Sequence, residues 1–302
     1  MTAIDIFSRI ELSHKEVFKC FVDANNFKKC VSPFFTIENF NSSNTQIDMN
    51  TCFSLKCAFL NLLQFFVTVK EIVPDKKIIF DLNGLIKGTQ TVYFIDDGEN
   101  NTLLREKFEF SLYNQFNLPV LNLILSIFFY IDACIKHFRF KTTFSNQNNF
   151  KNLFAIRSYI VVEADISEIN ALFQDLNKFS LWLSPFVKID LLNGKNEFTF
   201  ALPALGSFQC RINKNESNKV EISFSNSILN GINTWSILPC EKEIVIENAL
   251  EIDDSSVYLK LLWLLLGNSL VRIELDNWNK RLKDIVERTY LYKDVLVSPS
   301  TT

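Results

Sequence analysis

Glycine and histidine are both scarce in this sequence. The chain of 302 residues has 7 glycines and 2 histidines. No glycine-rich turn of the kind that cradles a phosphate occurs, and neither a G-x-S-x-G nor an H-E-x-x-H motif is present. These absences argue against nucleotide binding through such a turn, against that class of hydrolase and against a zinc protease. The two histidines, His14 and His137, stand at a predicted helix start and on a predicted closing helix, and neither has a counterpart in the other half of the chain, so we predict that both are dispensable.

Charge of one sign is also lacking, since the formal net charge is only -3. A nucleic-acid surface needs clustered Lys and Arg, so no nucleic-acid partner is expected. The first thirty residues show no signal-peptide pattern, which favours a cytoplasmic location. Seven cysteines occur, scattered along the chain without a C-x-x-C pair. We therefore expect buried, reduced cysteines, with neither a metal site nor a cofactor.

An internal repeat is the strongest feature that is present. Residues 7–38 recur 152 positions later as residues 159–190. The identical pairs include Glu11/Glu163, Glu16/Glu168, Phe21/Phe173, Asp23/Asp175, Asn25/Asn177, Phe27/Phe179, Ser32/Ser184, Pro33/Pro185 and Phe34/Phe186. A period of this length is that of a whole domain. The sequence predicts two tandem domains, residues 1–146 and 151–295, joined by the polar segment 146–149.

Each copy opens with a predicted strand followed by a capped helix. Residues 4–12 and 156–164 are rich in β-branched and aromatic residues. Ser13 with Glu16, and Asp165 with Glu168, have the spacing of a capping box. A second short helix is predicted before the proline of each copy, and the next strand is predicted to begin at Phe34 and at Phe186.

Antiparallel strands and a long helix complete each copy. The predicted strands are 51–58, 65–73, 77–83, 89–95 and 102–112 in the first copy, and 197–202, 207–213, 219–224, 232–238 and 243–252 in the second. Apolar stripes predict the two closing helices. They consist of Val120, Ile124, Phe128, Ile131, Ile135 and Phe138 in the first copy, and of Val271, Leu275, Trp278, Leu282 and Ile285 in the second.

Two apolar runs, 118–130 and 259–266, are shorter than the roughly 20 residues that a membrane-spanning helix needs. Core helices are the simpler interpretation of both. The first run is apolar nearly all round, so contact with the other domain, with a partner protein or, peripherally, with a membrane surface stays open.

This order of elements resembles the helix-grip fold of the SRPBCC superfamily, which includes START domains, plant pathogenesis-related allergens and polyketide cyclase/dehydrase-like proteins. Residues 10–34, 162–186 and 102–112, together with the closing helices, carry the resemblance. It implies an α+β fold of two tandem helix-grip domains. Each domain would be a curved antiparallel sheet around a long C-terminal helix, with an apolar ligand cavity between them.

The inward face of the last strand supplies the candidate ligand contacts. Within 102–112 the even positions are apolar except for Glu106, and in 243–252 the matching exception is Asn248. One polar residue on each cavity wall suggests a ligand contact, and the alternative is a bulge or strand end where the side chain reaches water. The predicted ligand-binding residues are Leu104, Glu106, Phe108, Phe110, Phe80, Phe128, Asn248, Leu250 and Trp278, and no catalytic residue is predicted. Because burial disfavours a charge, we expect the pKa of Glu106 to be raised unless a ligand amine or an Arg compensates.

Three functions are compatible with this pattern. The first, which the scarcity of catalytic groups favours, is binding or transport of a hydrophobic small molecule such as a lipid, pigment or polyketide. The second is a polyketide cyclase or dehydratase in which Glu106 handles protons. The third is a protein-interaction module whose cavities are filled by side chains.

Overall fold

The structure is a computed structural model that describes most of the chain. The described residues are 2–31, 35–41, 45–49, 51–57, 64–84, 86–98, 100–112, 119–144, 155–183, 188–191, 196–202, 206–226, 230–252 and 268–297. Two compact units divide the chain, Met1–Asn148 and Asn149–Thr302.

The first unit contains seven strands and three helices among its described residues. In chain order they are β1 (Thr2–Ile10), α1 (His14–Val22), α2 (Ala24–Cys30), β2 (Phe35–Asn41), β3 (Cys52–Cys57), β4 (Gln64–Val73), β5 (Lys77–Gly84), β6 (Ile86–Asp96), β7 (Thr102–Leu112) and α3 (Pro119–Phe144). Helix α3 packs against β1, β7 and α2.

The second unit repeats the same order in its described residues. The elements are β8 (Ala155–Val162), α4 (Ile166–Gln174), α5 (Leu176–Trp182), β9 (Lys188–Leu191), β10 (Glu197–Leu202), β11 (Gly206–Glu216), β12 (Lys219–Ser225), β13 (Asn230–Cys240), β14 (Glu243–Ile252) and α6 (Asn268–Val297). Helix α6 packs against β8, β14 and α5.

Each unit has its own antiparallel sheet. The strand orders are β1-β7-β6-β5-β4-β3-β2 and β8-β14-β13-β12-β11-β10-β9. Within the described residues, no strand of one unit pairs with a strand of the other. The predicted α+β fold of two tandem helix-grip domains is therefore confirmed. The predicted strands 102–112, 197–202 and 243–252 have their predicted bounds.

The two helix starts differ, although their sequences share the same spacing. Ser13 and Glu16 form a complete capping box at the start of α1. At the start of α4, Asp165 makes no side-chain capping bond, so the second predicted capping box is wrong. Residues Phe34 and Phe186, where strands were predicted to begin, lie outside the described residues.

The buried face of α3 differs from the predicted stripe. Ile131 and Phe138 are exposed, and the buried side chains of the described part of the helix are Leu125, Phe129, Asp132, Ala133, Lys136, His137 and Phe140. A helix that is apolar nearly all round gives no clear periodicity, so the apolar stripe did not identify the inner face. In the second copy, two residues of the predicted stripe, Leu275 and Leu282 of α6, are fully buried, as predicted.

A pair of equivalent arginines ties each closing helix to the preceding short helix. Arg139 Nη1 donates to the carbonyl of Val31, just after α2. In the second domain Arg281 Nη1 donates to the carbonyl of Leu183, just after α5, at 3.1 Å. The arginines are 142 positions apart and their acceptors 152 positions apart. This shared bond defines the alignment of the two closing helices.

The cysteine prediction is only partly confirmed. Cys30, Cys210 and Cys240 are buried, but Cys52 and Cys134 are exposed. Burial raises the pKa of the Cys30 thiol to about 11 and that of Cys210 to about 12, as expected for inert core thiols. In the part of the chain that the structure describes, no helix is long and apolar enough to cross a membrane.

The domain bounds remain a prediction that limited proteolysis can test. Residues 145–154 lie outside the described part of the chain and contain the proposed linker, Asn146–Asn149. Because an exposed polar linker is cut faster than a folded sheet, we expect the first nick at about residues 146–151, leaving two fragments of similar size. Mass spectrometry of the fragments gives the cleavage site. A first cut inside either sheet would contradict the proposed bounds.

Candidate functional site

The site of the first domain is built on the inner face of β7. Leu104, Glu106, Phe108 and Phe110 all lie on this face and are buried, as the alternation of the strand predicted. Glu106 is 0% exposed, and the pairing of β7 with β6 runs through it without a bulge. The alternative that Glu106 reaches water at a bulge is therefore wrong.

Three side chains surround the Glu106 carboxylate. Lys136 Nζ on α3 and Gln90 Nε2 on β6 both donate to Oε1. Nε2 of His137, also on α3, lies 3.3 Å from Oε2. Lys136 and His137 are themselves buried. A sheet carboxylate and a helix ammonium thus meet inside the domain, where each offsets the cost of burying the other's charge.

These neighbours reverse the expected direction of the pKa shift of Glu106. Burial by itself raises the pKa, but the adjacent Lys136 charge and the contact with His137 outweigh it, and the pKa of Glu106 is lowered to about 2. The expectation of a raised pKa is wrong because the compensating cation comes from the protein itself. A carboxyl with so low a pKa stays ionised near neutral pH, where it is a fixed charge and a poor proton donor.

An apolar cavity of about 40 Å³ lies beside this cluster, between the sheet and α3. Its walls are mostly aromatic and aliphatic, and Gln90, Asp132 and Lys136 supply polar groups. The apolar lining is Phe27, Val31, Phe35, Phe53, Leu55, Phe65, Val67, Phe80, Leu82, Ile86, Phe108 and Phe129. Lys136 therefore contacts the Glu106 carboxylate and also lines the cavity.

The predicted residues of the first domain divide into three groups. Phe80 and Phe108 line the cavity. Leu104, Phe110 and Phe128 instead pack in the surrounding core, where Phe128 is only partly buried. Glu106 lies behind Lys136 and Gln90, which do line the cavity.

In the second domain, neutral groups replace the charged cluster. Asn248 is 0% exposed on the inner face of β14 and accepts a 2.7 Å bond from Asn233 Nδ2. Leu250 is half-buried on the same face, opposite Asn233. Trp278 is half-buried on α6, and its indole donates to Glu274 at 2.8 Å. The arginine-based alignment places Trp278 at the position of Lys136 and Asn279 at that of His137.

Sequence reasoning missed Lys136, His137 and Gln90. His137 was expected to be dispensable, and neither Lys136 nor Gln90 was among the predicted ligand-binding residues. A signal was available, because the offset of 142 positions that pairs Glu106 with Asn248 also pairs Arg139 with Arg281. Applied to the closing helices, the same offset of 142 positions pairs His137 with Asn279. Two polar residues at equivalent helix positions indicate that both lie on the inner face, as Glu106 and Asn248 do on the strands.

The residues that the structure describes contain no cluster of three or more His, Cys, Asp or Glu side chains that could hold a metal ion.

Comparison with known proteins gives a likeness of fold. No family model matches the chain, and no curated protein matches it. Among solved structures, it is similar to the di-domain ARO/CYC BexL from the BE-7585A biosynthetic pathway, with 11% identity over 95% of this chain and 99% of that chain and a TM-score of 0.39. It is also similar to the di-domain ARO/CYC StfQ from the steffimycin biosynthetic pathway, with 11% identity over 96% of this chain and 99% of that chain and a TM-score of 0.38.

A single-domain match is a START superfamily protein from Mycobacterium smegmatis, with 16% identity over 45% of this chain and 98% of that chain and a TM-score of 0.36. The element order and strand topology of the chain are themselves those of two tandem helix-grip domains. A likeness of fold leaves activity to be argued from the site.

The ion pair gives a testable dependence of stability on charge and pH. Glu106→Gln leaves the Lys136 ammonium buried without its counter-ion, so we expect a loss of about 3 to 5 kcal/mol in the free energy of unfolding. Adding Lys136→Met should restore much of that loss. Because the folded pKa lies below the unfolded value of about 4.3, the contribution of Glu106 is complete above that value and is lost as pH falls toward 2.

Urea unfolding of the wild type and of Glu106→Gln between pH 7 and pH 3 measures both effects. The stability difference between the two proteins should shrink as the pH falls. A difference that stays constant over this range would show that the carboxylate is not held by a buried cation.

The two histidines provide a matched pair. His14 begins α1 and is partly exposed, whereas His137 is 3% exposed beside Glu106. His14→Ala should change the free energy of unfolding by no more than about 1 kcal/mol, while His137→Ala should cost more because it leaves a cavity next to a buried charge. Equal, small effects in urea unfolding would restore the original prediction that both are dispensable.

Proposed function

We propose that the first domain binds a hydrophobic small molecule between its sheet and α3. The observation that carries this proposal is the position of Lys136, which lines an aromatic cavity while its charge is balanced by Glu106. At this part of the wall the paired Lys136 and Gln90 present N–H donors, and Asp132 lines the same cavity. It suits an apolar molecule that carries a hydrogen-bond acceptor, such as a carbonyl or hydroxyl oxygen.

The low pKa of Glu106 favours binding over catalysis. A general acid works best with a pKa near the ambient pH, and Glu106 has a pKa lowered to about 2. The alternative of a cyclase or dehydratase thereby loses the acid on which it was based. In the proposed function, Glu106 fixes the position of the Lys136 ammonium, and Lys136 contacts the ligand.

The size of the cavity constrains the mode of binding. A volume of about 40 Å³ accommodates little more than a water molecule, whereas ligand pockets usually measure about 300 to 1,000 Å³. A ring-sized ligand therefore needs displacement of phenylalanine side chains, or of α3, from the sheet. Binding by this route is coupled to opening of the core.

The same small volume supports a second candidate, a protein-interaction module with filled cavities. Helix α3 also exposes Ile127, Tyr130, Ile131 and Phe138, which are spaced along one side. In this case the stripe, and not the interior, would be the functional surface.

Mass spectrometry of an organic extract of the purified full-length protein tests the proposal. We expect the wild type to retain a hydrophobic molecule with an oxygen acceptor. Lys136→Met should lose it, because the ammonium donor is gone. Lys141→Met, in the exposed last turn of the same helix, is the matched control and should retain it.

An extract with no bound molecule, together with a partner protein whose capture depends on Phe138, would favour the interaction module. A molecule retained equally by all three proteins would show that Lys136 does not anchor it.

A further inference from the structure

The second domain contains two buried amide groups whose hydrogen-bonding capacity is not filled. Asn248 on β14 and Asn279 on α6 are 0% and 1% exposed. Asn248 Nδ2 and Asn279 Oδ1 have no hydrogen-bond partner among the described residues. Buried polar groups in folded proteins nearly always have a partner, so an unfilled donor and acceptor indicate an occupant.

The orientation of Asn248 is fixed by its neighbours. Asn233 Nδ2 donates both to Asn248 Oδ1, at 2.7 Å, and to the carbonyl of Ala249, at 3.3 Å. A carbonyl only accepts, so this atom of Asn233 is the nitrogen, and the facing atom of Asn248 is its oxygen. The remaining group of Asn248 is therefore a donor.

The orientation of Asn279 follows by the same reasoning. The hydroxyl of Ser158 donates its one proton to the carboxylate of Asp276. Ser158 can then only accept from Asn279, so the atom 2.8 Å from the hydroxyl is Asn279 Nδ2. The remaining group of Asn279 is an acceptor.

Both groups lie around Ser158. Asn248 is the cross-strand partner of Ser158 on β8, and Asn279 is bonded to its hydroxyl. In the first domain the equivalent residues, Glu106 and His137, approach to 3.3 Å. The side chain of Asn248 is shorter than that of Glu and the side chain of Asn279 is smaller than that of His, so the equivalent pair in the second domain fills less of the space between strand and helix.

We propose that Asn248 and Asn279 form a site for one uncharged hydroxyl group, the alcohol or phenol of a hydrophobic molecule, with water taking its place in the empty domain. A hydroxyl accepts from Asn248 and donates to Asn279 at once. An anion would face the Asn279 oxygen, and an ammonium would face the Asn248 N–H, so neither charged group satisfies both amides. This site is separate from the proposed site of the first domain.

Tryptophan emission reports on the second domain alone, since all four tryptophans lie between positions 182 and 278. Trp235 is the cross-strand neighbour of Asn248, and Trp278 precedes Asn279. The full-length protein is titrated with phenol, benzene and benzoate. These three probes share one aromatic ring, which carries a hydroxyl group in phenol, no polar group in benzene and an anion in benzoate. Two neutral hydrogen bonds predict half-saturation by phenol at about tenfold lower concentration than by benzene or benzoate.

Asn248→Leu and Asn279→Leu should each abolish that preference, while the exposed Asn215→Leu should keep it. Equal half-saturation by phenol and benzene in the wild type would overturn the ligand site. So would a phenol preference that survives in both leucine variants.

Thermal unfolding followed by tryptophan emission tests, without any added ligand, whether one group is bonded to both Asn248 and Asn279. Each leucine variant should lower the Tm. If one group bridges the two amides, the loss in the double variant should fall short of the sum of the single losses by about 3 °C or more. Additive losses would mean that no group bridges them. If the variants do not fold, a crystal structure of the wild type decides, because a direct bond between the two amides or a side chain in that space would overturn the proposal.

Discussion

The buried pair of Lys136 and Glu106 is the interaction on which the first domain depends. It joins the last strand to the closing helix through the interior, and it fixes which face of α3 points inward. Removing one partner of such a pair leaves an unpaired charge in an apolar core. Together with the Arg139 bond to Val31, the pair favours one rotation of a helix whose apolar residues would tolerate several, and in that rotation Ile131 and Phe138 face outward.

The second domain reaches the same architecture without that pair. Neutral amides and Trp278 occupy the equivalent positions, Ser158 is bonded to one of those amides, and the arginine bond to the preceding short helix is retained. Its closing helix carries a clear amphipathic pattern, with Leu275 and Leu282 buried, so packing alone can set its rotation. The two copies share an architecture but differ in the chemistry of their interiors.

The opposite side of the last strand shows the same divergence. In the first domain Arg105 on β7 pairs with Asp5 on β1 at 2.7 Å. In the second, Glu247 on β14 pairs with Arg157 on β8 at 2.8 Å. The charges have been exchanged between the strands while the ion pair has been kept. Coulomb attraction between neighbouring strands is indifferent to which strand carries the cation, so both arrangements satisfy the same geometry.

The sequence by itself determined the repeat, the order of elements and the inward register of β7 and β14, because a two-residue period and a domain-length offset are visible along the chain. It also singled out Glu106 and Asn248 as polar exceptions. Only the tertiary structure decided what those residues meet. Lys136 is 30 positions from Glu106 along the chain, and a cation on another element leaves no local pattern. The pKa of Glu106 and the inner face of α3 depend on that contact, so both predictions made from local pattern and burial alone were wrong.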